Sequence, residues 1–152
     1  MNIGIVTTCF ERGAAYVSKT YMHLLEKGGN SVYIFARGGE NIPSTISDNW
    51  NENNVTRSKR YIDSKIEKTK FKKWIKSNRI EVILFNEQRD FQVFIWLKKD
   101  FPNIKIAAYI DYYTEQTIPW FELYDFLICN TNRHIQAMAS HPQKFYIRWE
   151  QT

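Results

Sequence analysis

Residues 2–36 read NIGIVTTCFERGAAYVSKTYMHLLEKGGNSVYIFA, and their order decides the fold. Asn2 to Thr8 is a short apolar run with β-branched residues, the composition of a buried strand. A turn containing Gly13 follows. Val17, Tyr21, Leu24 and Leu25 then recur at three- and four-residue spacing, so one face of a helix packs on a sheet. Gly28 and Gly29 supply the left-handed stop for that helix, and Ser31 to Ala36 makes a second strand.

The alternation continues outward from this unit. The stretch 40–54 is polar and aperiodic and reads as a surface loop, with a short strand expected within Val55 to Ile62. Thr69 is the expected N-cap of a helix whose Phe71, Trp74 and Ile75 share one side while its lysines point elsewhere. Glu81 to Phe85 (EVILF) is a continuous apolar strand of the kind a parallel sheet buries on both faces. Phe91 to Phe101 is an apolar helix ended by Pro102, Lys105 to Ile110 (KIAAYI) the next strand, and Pro119 opens a short helix through Leu123. Phe126 to Cys129, a helix over Arg133 to Ser140 and a strand over Phe145 to Trp149 complete the chain. The expectation is an α/β, Rossmann-like single domain over residues 1–152, with a mostly parallel sheet and helices on both faces.

A chain of 152 residues, 43% apolar and 16% aromatic, supports one core, and its apolar runs are strand-length rather than membrane-length. The first ten residues lack the pattern of a secretory signal, so a cytoplasmic location is expected. Cys9 and Cys129 read as reduced buried thiols; with His23, His134 and His141 scattered, neither a metal nor a cofactor is expected.

The net charge of +5 is local. Arg57 to Arg79 holds ten Lys or Arg against Asp63 and Glu67, a net +8 that leaves about −3 for the rest. Such a patch suits nucleic acid, an anionic membrane surface or a phosphate-bearing substrate, although a solvated helix face is the commonest origin of a charge run. The expected docking partner is an anionic membrane surface, met through Lys65, Lys68, Lys70, Lys72, Lys73 and Lys76 at the inner face of the membrane, and no nucleic acid is expected.

Ligands of parallel α/β sheets bind at the carboxyl ends of the strands. In this chain that edge collects Thr7, Thr8, Arg12 and Gly13, then Arg37 and Gly38, then Asn86 and Glu87, then Asp111 to Glu115, and finally Asn130. The turn Glu11 to Tyr16 opens a helix, where backbone N–H groups and the dipole favour an anion and Arg12 adds a planar fork; Gly13, Ala14 and Tyr16 complete the candidate contacts. It is neither GxGxxG nor GxxxxGK[ST], so it gives no dinucleotide or P-loop signature, and a plain strand-to-helix connection explains it equally well. In Asp111-Tyr112-Tyr113-Thr114-Glu115, carboxylates stand beside aromatic rings, the pairing that recognises sugar hydroxyls and C–H faces; a surface loop with partly buried tyrosines is the plainer reading. Glu87 is a site residue or a helix cap. Trp120, Phe121, Tyr124 and Phe126 form an aromatic cluster around Pro119 that reads first as core, with a substrate platform or partner-docking surface as the alternative.

Residues 2–40, NIGIVTTCFERGAAYVSKTYMHLLEKGGNSVYIFARGGE, together with EVILFNEQ (81–88), AAYIDYYTEQTIPWFELYDFLICNTNRHIQAM (107–138) and HPQKFYI (141–147), resemble the amino-terminal domain of GT-B glycosyltransferases of the retaining, nucleotide-sugar-dependent group. The resemblance implies one of two Rossmann-like domains facing across a cleft, this one on the acceptor side, with the donor-binding domain absent and the isolated chain inactive. It matches Arg12, Gly13 and Ala14 to the loop that approaches the cleft. It matches Asp111 to a strand end that carries histidine in many relatives, which makes Asp111 the candidate catalytic group. Arg37, Glu87, Tyr112, Tyr113 and Glu115 are the accompanying acceptor contacts, for a sugar or lipid-linked acceptor. After FYI, relatives continue through a linker into the donor domain, whereas this sequence closes with Arg148 to Thr152. The rival readings are a non-enzymatic module docking on an anionic membrane or acidic partner, and a small flavodoxin-like nucleotide binder.

Overall fold

The computed structural model describes residues 1–7, 13–37, 54–58, 66–86, 88, 90–110, 115–129, 132–138, 141 and 143–146, with backbone alone at 13–16, 57, 110, 132, 134, 135 and 146. The elements are β1 (Asn2–Thr7), α1 (Gly13–Lys27), β2 (Ser31–Ala36), β3 (Val55–Arg57), α2 (Lys68–Ser77), β4 (Val82–Asn86), α3 (Gln92–Asp100), β5 (Lys105–Ile110), a 3-10 helix (Ile118–Leu123), β6 (Phe126–Cys129), α4 (Asn132–Ala137) and β7 (Lys144–Tyr146). Among the described residues the strands form one sheet in the order β3-β2-β1-β4-β5-β6-β7. Every neighbouring pair is parallel, and the register runs through Val6↔Phe35, Val6↔Phe85, Asn86↔Tyr109 and Ile110↔Cys129.

The strand order reverses between β1 and β4. Right-handed crossovers then send the connections of the two halves to opposite faces. Period-two alternation divides the core in the same way. Val6, Phe35, Ile83, Phe85, Ile106, Ala108, Leu127 and Cys129 lie under α2, α3 and the 3-10 helix, which contribute Phe71, Trp74, Ile75, Val93, Phe94, Leu97 and Phe121. Ile5, Val32, Ile34, Ala36, Leu84, Ala107, Tyr109 and Ile128 lie on the face that Val17, Tyr21, Met22 and Leu25 of α1 cover.

Local sequence accounts for the element ends. Helix α1 stops in a Schellman arrangement: Asn30 N–H donates to Leu25 O at 3.1 Å and Gly29 N–H to Glu26 O at 3.0 Å, with Gly29 at φ +92°. Helix α3 ends at Asp100, with Phe101 N–H still bonded to Leu97 O and Pro102 next, which cannot continue the ladder.

The short strand expected within Val55 to Ile62 is present as Val55–Arg57. Three expectations are corrected. Leu24 is 59% exposed, and the side of α1 that meets the sheet includes Ser18 and Met22. Thr69 lies inside α2; Glu67 holds the N-cap position and makes no side-chain capping bond. The helix expected from Arg133 begins one residue earlier and ends at Ala137. The loop expected over 40–54 lies outside the described residues, save Asn54. Among the described residues no helix is long and apolar enough to cross a membrane.

Candidate functional site

The carboxyl ends of the strands form one rim. Arg37 N–H donates to Thr7 O at 2.9 Å and Ser58 N–H to Ala36 O at 2.9 Å, which carries the parallel ladder past the ends of β1, β2 and β3. Four polar side chains are buried along this rim: Thr7 at 0% exposure, Arg37 at 5%, Asn86 at 2% and Gln88 at 6%. Burying a polar group is costly unless it is hydrogen-bonded, so the partners of these four matter. On the α1 face, Asn86 Nδ2 donates to Ser18 Oγ at 2.8 Å. That bond ties the end of β4 to the second turn of α1. Thr7 Oγ1, on the neighbouring strand, has no hydrogen-bond partner among the described residues.

On the other face, Arg37 Nη1 donates to Val6 O at 3.4 Å. Its charge reaches the Tyr124 hydroxyl: burial raises the phenol strongly and the Arg37 guanidinium pulls the other way. Gln88 Nε2 donates to Asp90 O at 2.9 Å, and Gln92 N–H donates to Asp90 Oδ1 at 3.2 Å, which together shape the entry into α3. His141 Nε2 lies 2.8 Å from Tyr124 O, and Gln143 N–H donates to His141 Nδ1 at 3.0 Å. His141 is therefore the neutral tautomer protonated on Nε2, a structural histidine beneath β6 and β7.

Of the sequence candidates, Arg12, Glu87, Asp111, Tyr112 and Tyr113 lie outside the described residues. Gly13, Ala14 and Tyr16 form the first turns of α1, which opens at the rim with its backbone N–H groups. Arg37 sits at the rim, buried, and Glu115 is exposed in the turn after β5. Ser18 and Gln88 escaped the sequence reading. Ser18 was legible only as a small residue four positions before Met22, and Gln88 only as a neighbour of Glu87.

Half of the basic run lies on α2, as Lys68, Lys70, Lys72, Lys73 and Lys76 with no acid among them, while Lys65 lies outside the described residues. Lys72 is ion-paired to Asp100 of α3, and the ammonium groups of Lys68 and Lys72 stand 5.4 and 5.5 Å from the Trp96 ring centroid. Lys73 and Lys76 are exposed.

No protein-family model matches the sequence, and no curated protein matches it. Solved structures do match. An alpha-glucosyltransferase in complex with UDP and a 13-mer DNA containing an HMU base superposes with a TM-score of 0.66 at 14% identity, over 97% of this chain and 42% of that one. The alpha-glucosyltransferase in complex with UDP gives 0.61 at 12% identity, over 96% and 43%. A dTDP-glucose 4,6-dehydratase from Bacillus anthracis in complex with NAD gives 0.51 at 13%, over 85% and 53%. The chain has a Rossmann-type, GT-B-like fold. It spans about two-fifths of the length of the glucosyltransferases. The expectation of no nucleic-acid partner gains no support from these likenesses, because glucosyltransferase structures with DNA are among them.

Proposed function

We propose that this chain is the acceptor-side domain of a glycosyltransferase that moves a sugar from a nucleotide-sugar donor to a hydroxyl group, with the donor held by a second domain in the same or another polypeptide. The observation that carries the reading is its likeness, over 97% of its length, to glucosyltransferases solved with UDP. The rim at which Thr7, Arg37, Asn86 and Gln88 gather supports it as the place of the acceptor.

In this reading the acceptor lies against the first turn of α1, at Arg12, Gly13, Ala14 and Tyr16, with Glu87, Tyr112, Tyr113 and Glu115 binding its hydroxyls and ring faces. The acceptor oxygen forms the new bond to the anomeric carbon, the bond to the donor phosphate breaks, and the nucleoside diphosphate leaves with that electron pair. Asp111 is the group that receives the hydroxyl proton. Arg37, buried and bonded to Val6 O, acts through its positive charge and by bracing the end of β1. The chain alone is expected to be inactive, because both domains must meet one reacting centre. Calorimetry of the chain with UDP-sugars tests this: weak donor binding and no transfer are expected, and tight stoichiometric binding with turnover overturns it.

A second reading, a nucleic-acid acceptor, is favoured by the lysines of α2 together with the DNA in the neighbouring glucosyltransferase structures. The same lysines serve the anionic-membrane reading. A duplex binds with an affinity that falls steeply as salt rises, whereas flotation on anionic but not neutral vesicles separates out the membrane.

A further inference from the structure

Trp120 was expected in the core, yet it is 39% exposed. Its ring stacks on Phe91, with centroids 5.7 Å apart and planes at 10°. Phe91 in turn meets Phe121 edge-on at 5.9 Å and Phe94 at 5.9 Å, and Phe94 is fully buried. The indole is thus the outermost layer of an aromatic stack rooted in the core. Its backbone is equally constrained, with Pro119 in the first turn of the 3-10 helix and Trp120 N–H bonded to Thr117 O at 3.0 Å. A surface side chain held this firmly has little entropy left to lose when a ligand covers it.

Position and charge say what such a ligand is. Phe91 sits at the entry to α3, five residues past the end of β4, and Trp120 follows the end of β5, so the stack borders the rim. Within five residues of either ring the described ionisable residues are Asp90, Glu115, Glu122, Tyr124 and Asp125, and the described amides are Asn86, Gln88, Gln92 and Gln116, while Arg89 lies outside the described residues. The lysines of α2 lie across α3, on its Trp96 side. Carboxylates repel a phosphate-rich ligand but accept hydrogen bonds from hydroxyls, while an indole face covers the C–H side of a sugar ring.

We propose that Trp120, backed by Phe91, is a stacking subsite for a neutral pyranose ring of the acceptor. This rests on the acceptor-side reading and narrows its substrate class to carbohydrate.

The test is a titration of the 15N-labelled chain with maltotriose, followed on the indole N–H signals of its five tryptophans, the Trp120 signal being assigned by its loss in Trp120→Phe. A saturable shift of the Trp120 signal, with a Kd on the order of millimolar, is expected. Trp120→Phe should weaken binding by roughly three- to tenfold, and Trp120→Ala should abolish it. Trp120→Gln is the second variant should Ala impair folding. The subsite is overturned by no shift up to about 50 mM, a value set from that millimolar scale. It is also overturned by an equal shift with sorbitol, which has no ring, by a shift with an oligonucleotide in place of the sugar, or by undiminished binding in Trp120→Ala. Donor-dependent transfer to a non-carbohydrate acceptor without sugar binding at Trp120 sinks the subsite alone. Sugar binding at Trp120 without any transfer, in the presence of the donor domain, sinks the transferase reading alone.

Discussion

Gly4 in β1 lies directly beneath the indole of Trp74 in α2: a Cβ at Gly4 would collide with Cη2 and come within 3.0 Å of Cζ2 and 3.2 Å of Cζ3. The missing side chain is what lets α2 settle onto the sheet. Trp74 is 3% exposed and packs against Phe35 and Phe71, so the ring has nowhere to move. Gly4→Ala is therefore expected to destabilise the chain by about 1–3 kcal/mol through overpacking. Urea unfolding measures it, and Trp74→Leu in the Gly4→Ala background should recover part of the loss. Additive effects of the two changes would show that the contact is not the cause.

The Ser18–Asn86 bond predicts a different kind of loss. Ser18→Ala removes the acceptor of a buried amide donor while leaving the packing of α1 nearly unchanged. The expected cost is about 1–3 kcal/mol, more than an exposed serine would show. Hydrogen exchange should report faster opening of the first half of α1 and of the end of β4. Unchanged exchange there would mean that the bond does not couple rim to helix.

Cys129 closes β6 at 0% exposure, and burial raises its thiol above the ordinary value, with Lys144 pulling weakly the other way. In the folded state it should resist alkylation, and mass spectrometry should find it modified only once urea opens the sheet. The sign of the pH effect follows from linkage. The unfolded thiol ionises first, so its contribution is fully present below about pH 8.5 and is lost as pH rises through the folded value. Cys129→Ala should therefore show a shallower fall in stability on the alkaline side than the parent.

Much of this architecture is legible in short apolar runs set between turn residues. Ser31–Ala36, Lys105–Ile110 and Phe126–Cys129 are read with the bounds observed, because each is a buried parallel strand with a polar or turn residue at its border. The buried side of α2 is read correctly for a related reason: Phe71, Trp74 and Ile75 are its only large apolar residues among lysines. Helix α1 is harder, because apolar residues run almost round it, and only packing decides that Met22 and Ser18 point inward while Leu24 does not. At the rim, Arg37 was found by the rule of strand ends, whereas Gln88 was missed because a buried amide has the same letter as an exposed one. The aromatic run after Pro119 divides by geometry: the three-residue turn directs Phe121 and Tyr124 to the core and Trp120 outward.

The ion pair between Lys72 and Asp100 joins α2 to α3 on the exposed side of the helical layer. The Lys72 hydrogen bond holds the Asp100 carboxyl below its ordinary value, helped by the charges of Lys72, Lys68 and Lys99 and opposed by slight desolvation. A carboxylate depressed in the folded state stabilises above the pKa of its unfolded form, about 3.9, and loses that contribution as pH falls through the folded value. Asp100→Asn should thus lower Tm by a small amount at pH 7, and the difference from the parent should shrink in acid as Asp100 protonates. Solvent screens a pair this exposed, so about 0.5 M salt should narrow the difference at neutral pH as well. Because Asp100 is the acid that offsets Lys72, its replacement also raises the positive charge of the α2 face. Binding of a polyanion such as heparin to that face should strengthen in Asp100→Asn, and a retention time on heparin resin equal to that of the parent would show that α2 is not the surface that binds it.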